Sequence, residues 1–226
     1  MRAGVNGAAG RMGQLLVQLL GDDLHSASDR GELSPEVHAD AEVIIDFSLP
    51  EGTARLLELY PDTPLVIGTT GLSEATQQAI AQHRAPVVWA NNYSTGVTVL
   101  LDLVQRASKA LPDYDLEIVE MHHRFKVDAP SGTARSLAEA SGRTPLTHGR
   151  QGHTGERPRG GIGMHALRGG DVAGEHTVYL AGPGERLQLG HLATSRATFA
   201  EGAIRAARWL RGKPAGVYTM RDVLGL

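Results

Sequence analysis

Four side chains that carry or exchange positive charge fall within five positions: His122, His123, Arg124 and Lys126. Histidine moves protons near neutral pH, while arginine and lysine attract carboxylates, so the group suits a reaction in which an anionic molecule gains a proton. Asp128-Ala129-Pro130-Ser131-Gly132-Thr133 follows at once. A proline suited to a first turn and small residues after it predict a helix opening near Pro130, whose unpaired N–H groups extend the anion site. Gly132 and Thr133 are then placed to hold a carboxylate through their backbone and the Thr133 hydroxyl. No metal is expected, because adjacent residues of a strand point to opposite faces and no third ligand stands at a suitable spacing from His122 and His123.

A second signal lies at the start of the chain. Gly7, Gly10 and Gly13 are spaced GxxGxxG, after the candidate strand around Gly4 and before the apolar run Leu15 to Leu20. Glycines there let the chain turn tightly and bring backbone N–H groups to a pyrophosphate at a helix N-terminus, with Arg11 near the phosphates. An acidic residue is expected about 20 positions on, to take the ribose hydroxyls. Asp29 lies there, followed by Arg30. Asp29 favours NADH and Arg30 suits the 2′-phosphate of NADPH, so the pair predicts use of both. A glycine-rich helix entry without a ligand is the alternative.

These residues need a scaffold that holds them. Strands are expected around Gly4 and at 42–47, 64–68 and 86–90, with helices at 11–20, 51–60 and 73–83. The strands are continuous and apolar, as in parallel sheets covered on both faces, so a doubly wound, Rossmann-type α/β domain is predicted. From a long helix at 97–111 the pattern changes to short, partly alternating strands at 117–121, 162–168, 176–180 and 186–189. This predicts a second, α+β domain with a four-stranded mixed sheet, one of its faces open. The stretch 144–161, rich in Gly, Arg, His and Pro, reads as a mobile loop able to cover a site. A helix at 197–210 could return to the first domain, giving a nucleotide-binding domain of residues 1–94 and 196–226 and a substrate domain of residues 95–195.

Composition narrows the function classes. The 226 residues include no cysteine, which excludes disulfides and thiolate chemistry, and the net charge of −3 offers no general field for nucleic acid. No apolar run approaches the ~20 residues of a membrane-spanning helix. A soluble, cytoplasmic protein is therefore expected, with no nucleic-acid or membrane partner.

Beyond these local readings, the chain resembles the dihydrodipicolinate (4-hydroxy-tetrahydrodipicolinate) reductases of lysine and diaminopimelate biosynthesis. The resemblance runs through Gly7-Ala8-Ala9-Gly10-Arg11-Met12-Gly13, Val43 to Ser48, Gly68-Thr69-Thr70-Gly71 and Asn92 to Gly96. It continues through Glu120 to Thr133, Arg168-Gly169-Gly170-Asp171, Gly174 to Val178, His191 to Arg196 and Tyr218 to Leu224. It implies an NAD(P)H-dependent reductase of a cyclic imine dicarboxylate, with His122 as acid or base, Lys126 as proton donor, and His123, Gly132 and Thr133 as substrate binders. Gly7, Ala8, Ala9, Gly10, Arg11, Met12, Asp29, Arg30, Gly68, Thr69, Thr70, Ala90, Asn91, Asn92 and Tyr93 would line the cofactor. It also implies a homotetramer built through the second sheet, which would mediate oligomerisation.

Two departures stand out. Residues 20–40 are fewer than the family usually shows, leaving little room for a helix between the second and third strands, and Phe125 stands where relatives often have histidine. Other readings are an amino-acid or semialdehyde dehydrogenase on the same scaffold, and a non-catalytic NAD sensor whose basic cluster binds an acidic partner.

Overall fold

Apolar runs without alternation fold into strands that are covered on both faces. In a computed structural model that describes residues 1–226, they are β1 (Ala3–Asn6), β3 (Val43–Asp46), β4 (Leu65–Ile67) and β5 (Pro86–Trp89), while β2 (Leu24–Ser28) is a more polar edge strand of alternating exposure. A short β11 (Gly216–Tyr218), which the sequence pattern does not announce, joins them in an all-parallel sheet of order β11-β5-β4-β3-β1-β2. This sheet belongs to one compact unit, Met1–Thr95 with Arg196–Leu226; residues Gly96–Ser195 form another.

Helices α1 (Arg11–Leu20) and α6 (Ala197–Trp209) cover one face of the six-stranded sheet, where Val5, Leu16, Ile45, Val66, Ala203 and Leu210 share a core. On the other face α2 (Pro50–Leu59) and α3 (Glu74–Ala81) bury Ile44, Leu56, Leu65, Ile67 and Ile80. The β2 to β3 crossover has no helix. Residues 29–42 cross as turns and pack Leu33 and Ala41 onto the second core, with His38 wholly buried. His38 takes the place that helical side chains would fill: its Nδ1 meets Ser26 Oγ at 2.7 Å and its Nε2 meets Ser28 Oγ at 2.8 Å. Tyr60 Oη accepts from His38 N at 3.0 Å and donates to Ser34 O.

The second unit holds α4 (Thr95–Ala110, its first residue in the other unit), α5 (Gly132–Ser141) and a mixed sheet of order β10-β9-β6-β8-β7. Its strands are β6 (Asp115–His122), β7 (Leu146–His148), β8 (Ile162–Arg168), β9 (Gly174–Gly182) and β10 (Glu185–Ala193). Five strands, rather than the expected four, form it. β7 was hidden because three residues carry no readable alternation, and it pairs parallel to β8 inside the stretch expected to be loop. Two arginines of that stretch, Arg150 and Arg157, are tied to the sheet as well. Glu117 accepts from Arg150 at 2.8 and 3.0 Å, from Arg157 Nε at 2.9 Å and from His165 Nε2 at 2.8 Å. Burial alone would raise the Glu117 carboxyl, but the hydrogen bonds from Arg150, His165 and Arg157 hold it down at about 2.

Candidate active site

The glycine loop joins β1 to α1 at the C-terminal edge of the parallel sheet. Gly7 adopts φ +85°, a region that side chains with a Cβ avoid. Ser28 O accepts from Gly7 N at 2.9 Å and Ala8 N at 3.0 Å, while Asp29 Oδ2 accepts from Ala9 N at 2.6 Å. These bonds brace the loop against the end of β2. The start of α1, from Gly10 through Arg11 and Met12, has no side-chain cap and is left for an anion. Gly7, Gly10, Asp29 and Arg30 line a cavity of about 420 Å³, together with Asn6, Leu33, Phe47 to Leu49, Gly52 and Arg55. An uncapped helix start beside a cavity of this size, with a carboxylate in its lining, fits a dinucleotide.

The remaining expected cofactor residues follow β4 and β5, so all stand at the same edge of the sheet. Thr69, Thr70 and Asn91 line a smaller recess of about 290 Å³. Thr69 Oγ1 donates to the buried Asp46 Oδ2 at 3.1 Å, and Gly68 lacks a side chain because the Phe47 ring occupies that space. Ala90 and Asn92 are on the same turn, both half-buried. Tyr93 lies inside the core: its ring is buried, and its hydroxyl donates to Ile67 O at 2.8 Å and Val88 O at 2.9 Å. The tyrosine ring is thus a brace between two strand ends. Phe47, Ser48, Leu49 and Arg55 also line the cavity, though no motif points to them; their position after β3, in the crevice where the strand order turns back, is the signal that finds them.

In the other unit, strand alternation sends Glu120 and His122 to one face of β6, the face against α5. Glu120 is fully buried and its carboxylate is shared four ways. Arg168 Nη1 and Nη2 donate at 2.8 and 2.9 Å, Ser131 N at 3.1 Å, and His122 Nδ1 lies 2.6 Å from Oε2. Burial tends to raise the carboxyl, yet these donors hold it below the ordinary range. His122 is lowered, first by burial, against the pull of Glu120, and the nearby charges of Lys126 and Arg168 add to the lowering. Lys126 Nζ donates to Asp128 Oδ1 at 2.7 Å.

The helix opens two residues later than expected. Ser131, not Pro130, borders it: Ser131 Oγ accepts from Ala134 N at 3.2 Å, so Gly132 and Thr133 are its first two residues. Ser131 Oγ also meets His176 Nε2 at 3.1 Å, and the His176 ring stands edge-on to His122 with centroids 5.2 Å apart. His123 parts from its neighbour, lying beside Phe125 with centroids 6.3 Å apart. No group of three His, Asp or Glu side chains is arranged to hold a metal ion.

Comparison with known proteins fits this division. The profile for the N-terminus of dihydrodipicolinate reductase matches residues 1–93, and that for the C-terminus matches residues 96–224. The chain belongs to the dihydrodipicolinate reductase family. The 4-hydroxy-tetrahydrodipicolinate reductase of Akkermansia muciniphila is 49% identical, with 98% of this chain and 97% of that one covered. The namesake of Alkalilimnicola ehrlichii is 46% identical over 264 aligned positions, covering 100% of this chain and 99% of the relative. That alignment is longer than this chain, so the relative carries segments missing here, in keeping with the helix-free crossover at 29–42. A dipicolinate-bound dihydrodipicolinate reductase from Paenisporosarcina sp. TG-14 shares the fold, with TM-score 0.80, 22% identity and 98% of each chain covered. As a family member the chain is an NAD(P)H-dependent oxidoreductase of lysine and diaminopimelate biosynthesis.

Proposed function

We propose that the chain reduces 4-hydroxy-tetrahydrodipicolinate to tetrahydrodipicolinate, with nucleotide bound by residues 1–94 and 196–226 and substrate by residues 95–195. The observation that carries the residue assignment is local. One short segment presents a neutral imidazole (His122), an ammonium close enough to depress it (Lys126), and a helix start (Gly132, Thr133).

In the net reaction the ring gains a hydride and a proton and loses water. When bound, the reduced nicotinamide supplies the hydride. Its arrival at a carbon conjugated with the C=N bond sends an electron pair toward the ring nitrogen, and the carbon between them must then be protonated. Lys126 stabilises that charge and donates the proton, while His122, neutral and therefore able to accept one, is the base of the site. His123 and the Gly132 and Thr133 backbone, with the Thr133 hydroxyl, hold the carboxylates. Gly7 to Met12 cradle the pyrophosphate, and the turns at 68–70 and 90–93 receive the nicotinamide half.

Asp29 and Arg30 side by side support use of both NADH and NADPH. The face of the second sheet away from α5 exposes Leu167 beside Met121, and Leu192 at its far edge beyond Glu175, apolar side chains that support assembly into a tetramer. No helix is long and apolar enough to cross a membrane, and a cytoplasmic location suits the pathway.

The test is NADH absorbance followed with the cyclic imine generated in situ from pyruvate and aspartate semialdehyde. Consumption is expected. A protein that binds NADH and consumes none would be a sensor, and this reading would fall.

A further inference from the structure

Glu120 lies outside every role assigned above, yet its carboxylate is the point at which the pieces of the substrate site meet. It bonds the His122 ring and the Ser131 amide directly. Through Arg168, whose Nη2 also donates to Asp128 O at 2.6 Å, it reaches the loop that carries Lys126. Both Glu120 oxygens already accept from Arg168, and a carboxylate so charged only accepts. The nitrogen facing it, His122 Nδ1, therefore carries the hydrogen. Since the ring is neutral, Nε2 is left with its lone pair.

The space at Nε2 is kept open by sequence. A Cβ built on Gly174 would lie 3.0 Å from His122 Nε2, so any other residue there would press on that nitrogen. Gly174 opens β9, two positions before His176, the residue that pairs with Ser131.

We propose that Glu120 is the positioning residue of the proton-transfer site: it fixes His122 as the Nδ1–H tautomer, turns Nε2 toward the substrate, and holds the start of α5 in step with that ring. The inference rests on the reading of His122 as the base. A freely turning imidazole would present either nitrogen in either state; held by Glu120, it presents one. Glu120 need not touch the substrate.

The test uses the full chain, labelled with 15N at histidine, with His122 assigned by comparison with His122→Asn. Wild-type His122 is expected to show protonated Nδ1 and unprotonated Nε2 at neutral pH; a protonated Nε2 and bare Nδ1 overturns the proposal, whatever the variants do. In Glu120→Gln the tautomers should mix, kcat should fall roughly 10²-fold with KM changed much less, and the pH profile of kcat should shift. A folded Glu120→Gln with wild-type kcat and pH profile overturns it. Gly174→Ala, which leaves Nδ1 and Glu120 untouched, should lower kcat with the wild-type tautomer preserved; full activity would show that Nε2 is not the working nitrogen. If His122→Asn itself turns over normally, the reading of His122 as base fails, an outcome distinct from failure of Glu120→Gln alone.

Discussion

Gly4 lies directly beneath His38: a Cβ on Gly4 would stand 2.7 Å from His38 Nδ1. The missing side chain in β1 and the missing helix after β2 are two parts of one solution. With 14 residues for the crossover, a single imidazole from the loop covers the strand ends, and β1 must leave room for it. Gly4→Ala should therefore cost about 1–3 kcal/mol, because the ring is pinned by Ser26 and Ser28 and cannot step aside. A shift in the denaturation midpoint measures this; an unchanged midpoint would show that the loop yields easily.

His38 also predicts how stability depends on pH. Ser28 Oγ donates to Asn6 Oδ1 at 3.0 Å, so its oxygen must accept from His38 Nε2, and Ser26 then donates to Nδ1. That arrangement needs a neutral ring. Burial, with a smaller effect from His25, pushes His38 down to about 4; in the other unit burial does the same to His176, with His122 adding to it. Both folded values lie below the ordinary 6.5. The unfolded chain thus binds protons first as pH falls, so the stabilisation is complete above pH 6.5 and is lost progressively down to about pH 4. Each histidine accounts for about 3 kcal/mol over that span. Denaturant titrations at pH 7 and pH 5 should show the loss, and His38→Gln should flatten it for the unit that contains β1. A flat profile in the wild type would mean that water reaches these rings.

The parallel sheet was legible because β3, β4 and β5 are apolar throughout and separated by helical spacing; the polar edge strand β2 offers no such run. Helix α1 and the glycine loop were read at their observed positions, since Gly7, Gly10 and Gly13 punctuate so clearly. What escaped were elements of three residues: β7 at Leu146 and β11 at Gly216 are too short for a period to show, and pairing with β8 and β5 makes them strands. In the candidate site, His122 and Lys126 stand out by charge. Glu120 did not, because a lone glutamate in a strand reads as solvated until its partner Arg168, 48 residues away, is placed. The alternation Glu120, His122 with apolar Ile118 before them was the available hint that this face turns inward.

Asp29 should decide nucleotide preference. Its carboxylate accepts from Ala9 N at 2.6 Å and Arg30 N at 2.6 Å and lines the cavity edge where a ribose would lie. A 2′-phosphate there meets a like charge, partly offset by Arg30. Asp29→Asn should raise kcat/KM for NADPH relative to NADH, by about 10-fold if one charge contact worth ~1.4 kcal/mol is removed. Initial rates with both nucleotides check it, and an unchanged ratio would place the 2′ position away from Asp29.

Lys126 is the most exacting case, since its ammonium is paired with Asp128 at 2.7 Å and must turn from that carboxylate to serve the substrate. The pair is partly exposed, so it holds the side chain only loosely, and exchanging one carboxylate for another is nearly neutral in free energy. A bound diacid can therefore draw the ammonium over, which links binding to proton delivery. Lys126→Ala should lower kcat by about 10²- to 10⁴-fold, the usual loss for a proton donor. NADH affinity should survive, because Lys126 belongs to the unit that does not carry the glycine loop. Asp128→Asn should change kcat far less while removing the resting partner. Near-normal turnover by Lys126→Ala would take the ammonium out of the mechanism and leave His122 to supply the proton, which its neutral state disfavours.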